Sequence, residues 1–218
     1  MPDPSAARPP VSLDGSLVAA QLAVLRDAAT PPSRFRRAAA ALGALVVAEA
    51  LGGLETVPGR VSTPVGPAAV ATPARRLTIV PVLRAGLALL EPALALAPGE
   101  PRVGFIGLAR DHRTLLPSCY LQSLPAGLAD DDVLVLEPMV ATGGSTVAAL
   151  DALAARGARR VAVAALIAAP EGLDAVARRH PGATVTAAAI DAGLDAHGFI
   201  VPGLGDAGDR LYALPETA

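Results

Sequence analysis

The sequence predicts an α/β protein built on a parallel sheet flanked by helices. Three observations carry this. From Leu77 onward, short uninterrupted apolar runs alternate with helical segments. Runs without polar alternation suit strands buried on both faces, which parallel sheets supply. Third, Val133–Thr146 reads V-L-V-L-E-P-M-V-A-T-G-G-S-T, an apolar strand passing through a glycine turn into an alanine-rich helix. Such a turn brings backbone amides and a positive helix end to one place, where a phosphate is stabilised. Taken alone, the turn also suits simple helix capping by Thr142 or Ser145.

Residues 1–15, polar and proline-rich, are expected to be a flexible arm. Residues 16–218 are expected to form one domain. A first helix starts near Leu17 and stops before Pro31-Pro32. A second, capped by Ser33, runs to about Leu51 and ends at Gly52-Gly53. Residues 56–76 hold Pro58, Pro64, Pro67 and Pro73, which predicts irregular or edge-strand structure. Strands follow at Leu77–Leu83, Val103–Leu108, Val133–Leu136, Val161–Ile167 and Val185–Ala189. Helices are predicted over Leu87–Leu96, Ser145–Arg156 and Gly172–Arg179, and residues 110–130 form a long loop or hairpin around Tyr120. In parallel sheets ligands sit at the carboxyl ends of the strands. The segments after Leu83, Leu108, Leu136 and Ala189 therefore share one rim.

Composition narrows the function. With 218 residues, 52% hydrophobic and 17% charged, the chain can bury a sizeable core. Aromatic residues make up only 2%, so that core is built from alanine, leucine and valine. All 18 basic residues are arginine, which removes lysine Schiff-base chemistry. A net charge of −2 without a basic tail disfavours nucleic-acid binding. Cys119 is the single cysteine, so no internal disulfide or cysteine zinc cluster forms. The longest uncharged apolar run, Ala38–Ala48, falls short of the about 18 residues that a membrane span requires. The expectation is a cytoplasmic protein without a membrane span.

On the predicted rim, Arg84-Ala85-Gly86 follows a buried strand. An arginine beside a glycine there can meet a diphosphate with charge and amides, or simply start a helix at the surface. Arg110-Asp111 ends the next strand. The last string, H-G-F-I-V-P-G-L-G-D-A-G-D-R-L-Y from His197 to Tyr212, fits neither helix nor strand. Its Phe199-Ile200-Val201 and glycine turns offer an apolar wall with backbone donors and acceptors, suited to a small planar base.

These segments, V-P-V-L-R-A-G (80–86), E-P-M-V-A-T-G-G-S (137–145), A-A-P-E-G (168–172) and His197–Tyr212, resemble the uracil phosphoribosyltransferase family. The likeness runs from about Leu77 to the C-terminus and extends weakly to R-F-R (34–36) and L-E-T (54–56). It implies a type I phosphoribosyltransferase-like parallel sheet with a small hood, contributed by about 190–212 and N-terminal segments. It implies transfer of a phosphoribosyl group from phosphoribosyl diphosphate (PRPP) to uracil, giving UMP, with magnesium held mainly through PRPP. A GTP effector and a homo-oligomer belong to the same implication. Carried over by position, Arg84 and Arg110 would contact PRPP at its diphosphate. Glu137, Pro138, Met139, Val140, Ala141, Thr142, Gly143, Gly144 and Ser145 would hold its ribose and phosphate. Ile200, Gly205, Asp206 and Ala207 would hold uracil, Asp206 would also reach PRPP, and Arg110 and Asp206 would be catalytic.

The chain departs from the family at several positions. Glu137 stands where the family usually has aspartate, Ala109 where it commonly has tyrosine, and Leu116 where an acid is often found. The alternative reading is a divergent relative that binds uracil, UMP or PRPP as a sensor with little turnover.

Overall fold

The structure, a computed structural model, describes residues 9–110 and 117–213. Asp111 and Leu116 lie outside the described residues, and Arg110 and Pro117 are placed by backbone only. In chain order, β1 (Val11–Ser12) precedes helices α1 (Ser16–Arg26) and α2 (Pro32–Leu51). A hairpin follows, β2 (Thr56–Thr63) and β3 (Gly66–Pro73). Next come β4 (Leu77–Leu83), a 3-10 turn at Ala85–Leu89, α3 (Leu90–Leu96), β5 (Arg102–Val103), β6 (Phe105–Arg110) and β7 (Pro117–Ser123). Then β8 (Asp132–Leu136), β9 (Met139–Val140), α4 (Gly144–Ala155), β10 (Arg160–Ala168), α5 (Pro170–Arg179) and β11 (Thr184–Ile190) complete the sheet region. The chain closes with β12 (Gly193–Leu194), β13 (Ile200–Val201) and α6 (Ala207–Tyr212).

The main sheet has the order β1-β11-β10-β8-β4-β6-β7, with β5 beside β4 and β9 beside β10. Every pairing in it is parallel except β6 with β7. Both faces are buried. Leu134, Leu136, Ala164 and Leu166 pack with Phe35, Leu42 and Leu89 on one side. Val133, Val135, Val163 and Ala165 pack with Leu150, Leu153 and Val176 on the other. Alternate side chains of one strand point to opposite faces, so a strand covered twice must be apolar throughout. From β4 the chain moves outward to β6, then returns to place β8 on the other side of β4. Connections diverging from adjacent strands leave a crevice at their carboxyl ends, where ligands bind in open α/β sheets.

Several local expectations need correction. The expected flexible arm is ordered at Val11–Ser12, which pairs in parallel with Thr186–Ala187 at the sheet edge. Ser33 is not a cap; α2 begins at Pro32, and the Pro31 carbonyl accepts from Arg34 and Phe35 at 2.9 Å each. Proline suits the first helical position because its missing N–H has no helical partner there. Of the two forms open for residues 56–76, the structure takes the edge-strand one, with β2 and β3 paired to each other alone among the described residues. The predicted helix from Leu87 is a 3-10 turn to Leu89 and α-helical only from Leu90. Around Tyr120 the chain does form a hairpin, β7 running antiparallel to β6.

Among the described residues no helix is long and apolar enough to cross a membrane.

Candidate functional site

A cavity of about 280 Å³ opens at the carboxyl ends of β4 and β8. One wall is the run that leaves β8. Glu137 donates its N–H to the Ala164 carbonyl at 3.1 Å, which carries the chain alongside β10. Its side chain is only 8% exposed, and Oε2 has no hydrogen-bond partner. Burial favours the neutral acid and pushes this carboxyl up to about 8. The chain then turns through Ala141–Thr142 to Gly143, where φ is +80°.

No side chain caps α4: its cap position is Gly143, and Thr142 Oγ1 lies a long 3.5 Å from the Gly144 nitrogen. The capping reading of Thr142 and Ser145 is therefore corrected. The first residues of this helix line the cavity and its end has no side-chain cap, which is the condition for anion binding.

The turn rests directly on α5. A Cβ at Gly143 would lie 2.8 Å from the Gly172 carbonyl oxygen and 2.9 Å from Ala175 Cβ. A Cβ at Gly172 would in turn overlap the Ala141 carbonyl. Two glycines thus let backbone meet backbone, and this explains the A-A-P-E-G segment. Gly86 plays the same part for the turn after β4, since a Cβ there would overlap the Leu136 carbonyl.

The opposite wall is the C-terminal string, with Gly198, Phe199, Ile200, Gly205 and Asp206 lining the cavity. β12 and β13 pair antiparallel around a turn held by Asp195, whose Oδ1 accepts from His197 at 2.8 Å and Phe199 at 2.9 Å. The Phe199 amide, then that of His197, holds this carboxyl below the usual aspartate range. Asp195→Ala is expected to loosen this turn and cost about 1 kcal/mol of stability, read from thermal melts. Asp206 caps α6, Oδ1 accepting the Asp209 N–H at 2.9 Å.

Of the residues proposed from sequence, Glu137, Met139, Ala141, Thr142, Gly143, Gly144, Ser145, Ile200, Gly205 and Asp206 surround this one cavity. Pro138 and Val140 do not line it. Both are buried, and their carbonyls accept from Leu166 and Ala169, each at 2.9 Å, within the sheet. Ala207 is fully buried behind the wall. Arg84 is exposed beside the cavity and begins the 3-10 turn; its neighbour Ala85 is the lining residue. Arg110 ends β6, and its side chain lies outside the description. The site residues proposed from sequence leave out Ala85, Thr146 and Gly198, although the motif strings contain all three. Thr146 was within reach, being the next residue of the same run.

A second hollow of about 480 Å³ lies at the amino ends of the strands. Four of its five charged residues are already matched, Arg75 with Glu55 at 2.6 Å and Arg160 with Asp132 at 3.1 Å. The first cavity joins an uncapped helix start, hydroxyls and a carboxyl with an unpartnered oxygen to an apolar wall with glycine backbone.

The family profile described as uracil phosphoribosyltransferase matches residues 12–213. A Thermus thermophilus protein named uracil phosphoribosyltransferase is 47% identical over 201 residues, covering 92% of this chain and 96% of the relative. A Kineococcus radiotolerans protein of the same name is 47% identical over 210 residues, covering 93% and 97%. Among solved structures, the AQ2163 protein from Aquifex aeolicus superposes with a TM-score of 0.88 at 34% identity, covering 94% of this chain and 99% of that one.

Proposed function

Since the chain belongs to the uracil phosphoribosyltransferase family, we propose that its cavity joins uracil to PRPP, releasing UMP and diphosphate. The observation that carries this reading is the meeting of the two walls across one cavity. A bond forms between a uracil nitrogen and the anomeric carbon of the ribose, and the carbon–oxygen bond to diphosphate breaks. The nitrogen loses its proton, and the departing diphosphate takes the bonding pair.

No protein nucleophile is needed; the rate comes from placing two substrates and stabilising separating charge. The amides at the start of α4, with the hydroxyls of Thr142, Ser145 and Thr146, hold the phosphate. Glu137 accepts from the ribose hydroxyls. Arg84 and Arg110, at the ends of β4 and β6, meet the diphosphate. Backbone groups of Ile200, Gly205 and the neighbouring Ala207 read uracil, with Phe199 beside it. Asp206 reaches both substrates.

The carboxylates of Glu137 and Asp206 and the nearby hydroxyls are hard oxygen donors that fit a magnesium ion held mostly by diphosphate and water. When bound, magnesium supplies positive charge against the leaving group. Among the described residues no cluster of three or more His, Cys, Asp or Glu could cage a metal.

The same reading takes residues 16–218 as one domain, with a hood from about 190–212. It includes a cytoplasmic setting, GTP as an effector and a homo-oligomer. For assembly, the supporting feature is the β2–β3 hairpin, which joins no other sheet and exposes Val57, Val61 and Val65. An isolated two-stranded hairpin is marginally stable in water, and a second copy would cover it.

The test is UMP synthesis from uracil, PRPP and magnesium, with and without GTP. Asp206→Asn is expected to lower kcat by about 100-fold while leaving the fold intact, since asparagine still caps α6. Absence of UMP from the unaltered protein over a wide range of PRPP and pH would overturn the reading.

A further inference from the structure

We propose that Arg26 and Asp191 are positioning residues that set the uracil-reading loop, although neither lines the cavity. The proposal rests on the function given above.

Asp191 follows β11 and is fixed to the sheet, its N–H donating to the Ala168 carbonyl at 2.8 Å. Its side chain is nearly buried, at 5% exposure. Oδ1 accepts from Arg26 Nη2 at 2.6 Å. Oδ2 accepts from Arg26 Nη1 at 2.8 Å and from the Gly203 N–H at 2.9 Å. Arg26 Nη1 also donates to the Gly203 carbonyl at 2.8 Å. One bidentate pair therefore holds both polar groups of Gly203.

Gly203 is the pivot of the loop. Its φ is +62°, and a Cβ there would overlap the Ile200 carbonyl, so the turn accepts only glycine. It sits between Ile200 and Gly205, the two backbone stations on the base wall.

A second arginine holds the next residue. Arg210 Nη1 donates to the Leu204 carbonyl at 2.8 Å, and its Nη2 donates to the Asp27 carbonyl at 2.6 Å. Its guanidinium lies 4.3 Å over the Phe35 ring. Residues 203 and 204 are thus both tied to the end of α1.

A loop that reads its ligand through backbone groups cannot correct an error with a rotamer change. Its recognition is only as good as the placement of its peptides. Burying an ion pair is weak evidence for stability, whereas a bidentate guanidinium–carboxylate pair fixes geometry tightly. That geometry is what the base wall needs.

The test measures KM for uracil and for PRPP separately, with thermal unfolding, in Asp191→Asn and Arg26→Lys. In Asp191→Asn the amide NH2 faces the guanidinium and the bidentate pair is lost. The expected result is a rise of about tenfold in KM for uracil, with KM for PRPP within about twofold. Arg26→Lys keeps the charge but not the fork, and is expected to give a smaller shift of the same kind. Should Asp191→Asn fail to fold, Arg26→Lys carries the test, because it leaves the buried carboxylate a cation.

An unchanged uracil KM overturns the proposal. So does a rise in both KM values together that tracks the loss of melting temperature, which marks a structural role only. Failure of the unaltered protein to make UMP would instead overturn the functional reading.

Discussion

Replacing Glu137 with glutamine is expected to make the protein more stable at alkaline pH and at the same time nearly inactive. The carboxyl is raised from an ordinary 4.5 to about 8 by burial, and its Oε2 lacks a partner. Between those two pH values the folded chain keeps a proton that the unfolded chain has released. Stability therefore falls as pH rises through this window, by about 1.4 kcal/mol per pH unit. Above pH 8 the accumulated loss is on the order of 5 kcal/mol.

Glutamine keeps the size of the side chain and removes the titration. The variant and the parent should melt within a few degrees of each other near pH 5. By about pH 8.5 the variant should melt on the order of 10 °C higher. Activity should move the other way. Ribose hydroxyls require an acceptor, and loss of a charged acceptor in a dry site costs about 100-fold or more in kcat/KM for PRPP. Given the proposed contact with ribose, PRPP use by the unaltered protein should strengthen as pH rises toward 8, because the carboxylate is a stronger acceptor for a sugar hydroxyl than the neutral acid. Melting curves of parent and variant that coincide at alkaline pH would sink this account.

Gly143→Val is expected to remove activity and much of the stability together. At φ +80° an L side chain costs about 1–2 kcal/mol. Crowding against the Gly172 carbonyl and Ala175, at 2.8 and 2.9 Å before any branch is added, costs about 1–3 kcal/mol more. The turn can escape only by moving off α5, and a displacement of about 1 Å costs roughly 100-fold in rate. Gly127→Ala is the control. Its φ of +68° is also positive, but a Cβ there meets nothing within 4 Å. It should cost only about 1–2 kcal/mol and leave kcat unchanged. If the two variants behave alike in denaturant melts and PRPP kinetics, backbone contact with α5 is not what seats the cradle.

The strands that carry the site were legible because both faces are covered. Leu77–Leu83 appears in the structure with the bounds the apolar run predicts, and Val133–Leu136 gains only Asp132. Residues 56–73 take the edge-strand form that the sequence left open beside irregular chain, although prolines usually break ladders. Here Pro64 sits in the turn, while Pro58, Pro67 and Pro73 occupy a hairpin in which each strand has a free edge. A missing N–H on such an edge loses nothing.

At the site, the glycine run and the C-terminal string were legible because turns need particular residues. That Pro138 and Val140 serve the sheet was not, since a contiguous motif does not reveal which residues turn away. The partnership of Arg26 with Asp191 was also hidden. Nothing local distinguishes that arginine from the other seventeen of the chain's 18, and its partner is 165 residues away.

That distance has a consequence for how the site is assembled. The cradle wall, Glu137 to Thr146, and Ala85 beside it lie within one stretch of chain and settle onto α5 soon after it. The base wall must wait until the segment around Gly203 finds Arg26, 177 residues earlier, and Arg210 finds Asp27, 183 residues earlier. Contacts spanning so much chain form slowly, because the loop they close must be paid for before they contribute. Folding should therefore complete the phosphate half of the cavity first and the base half last. During refolding, capacity for PRPP should return ahead of capacity for uracil.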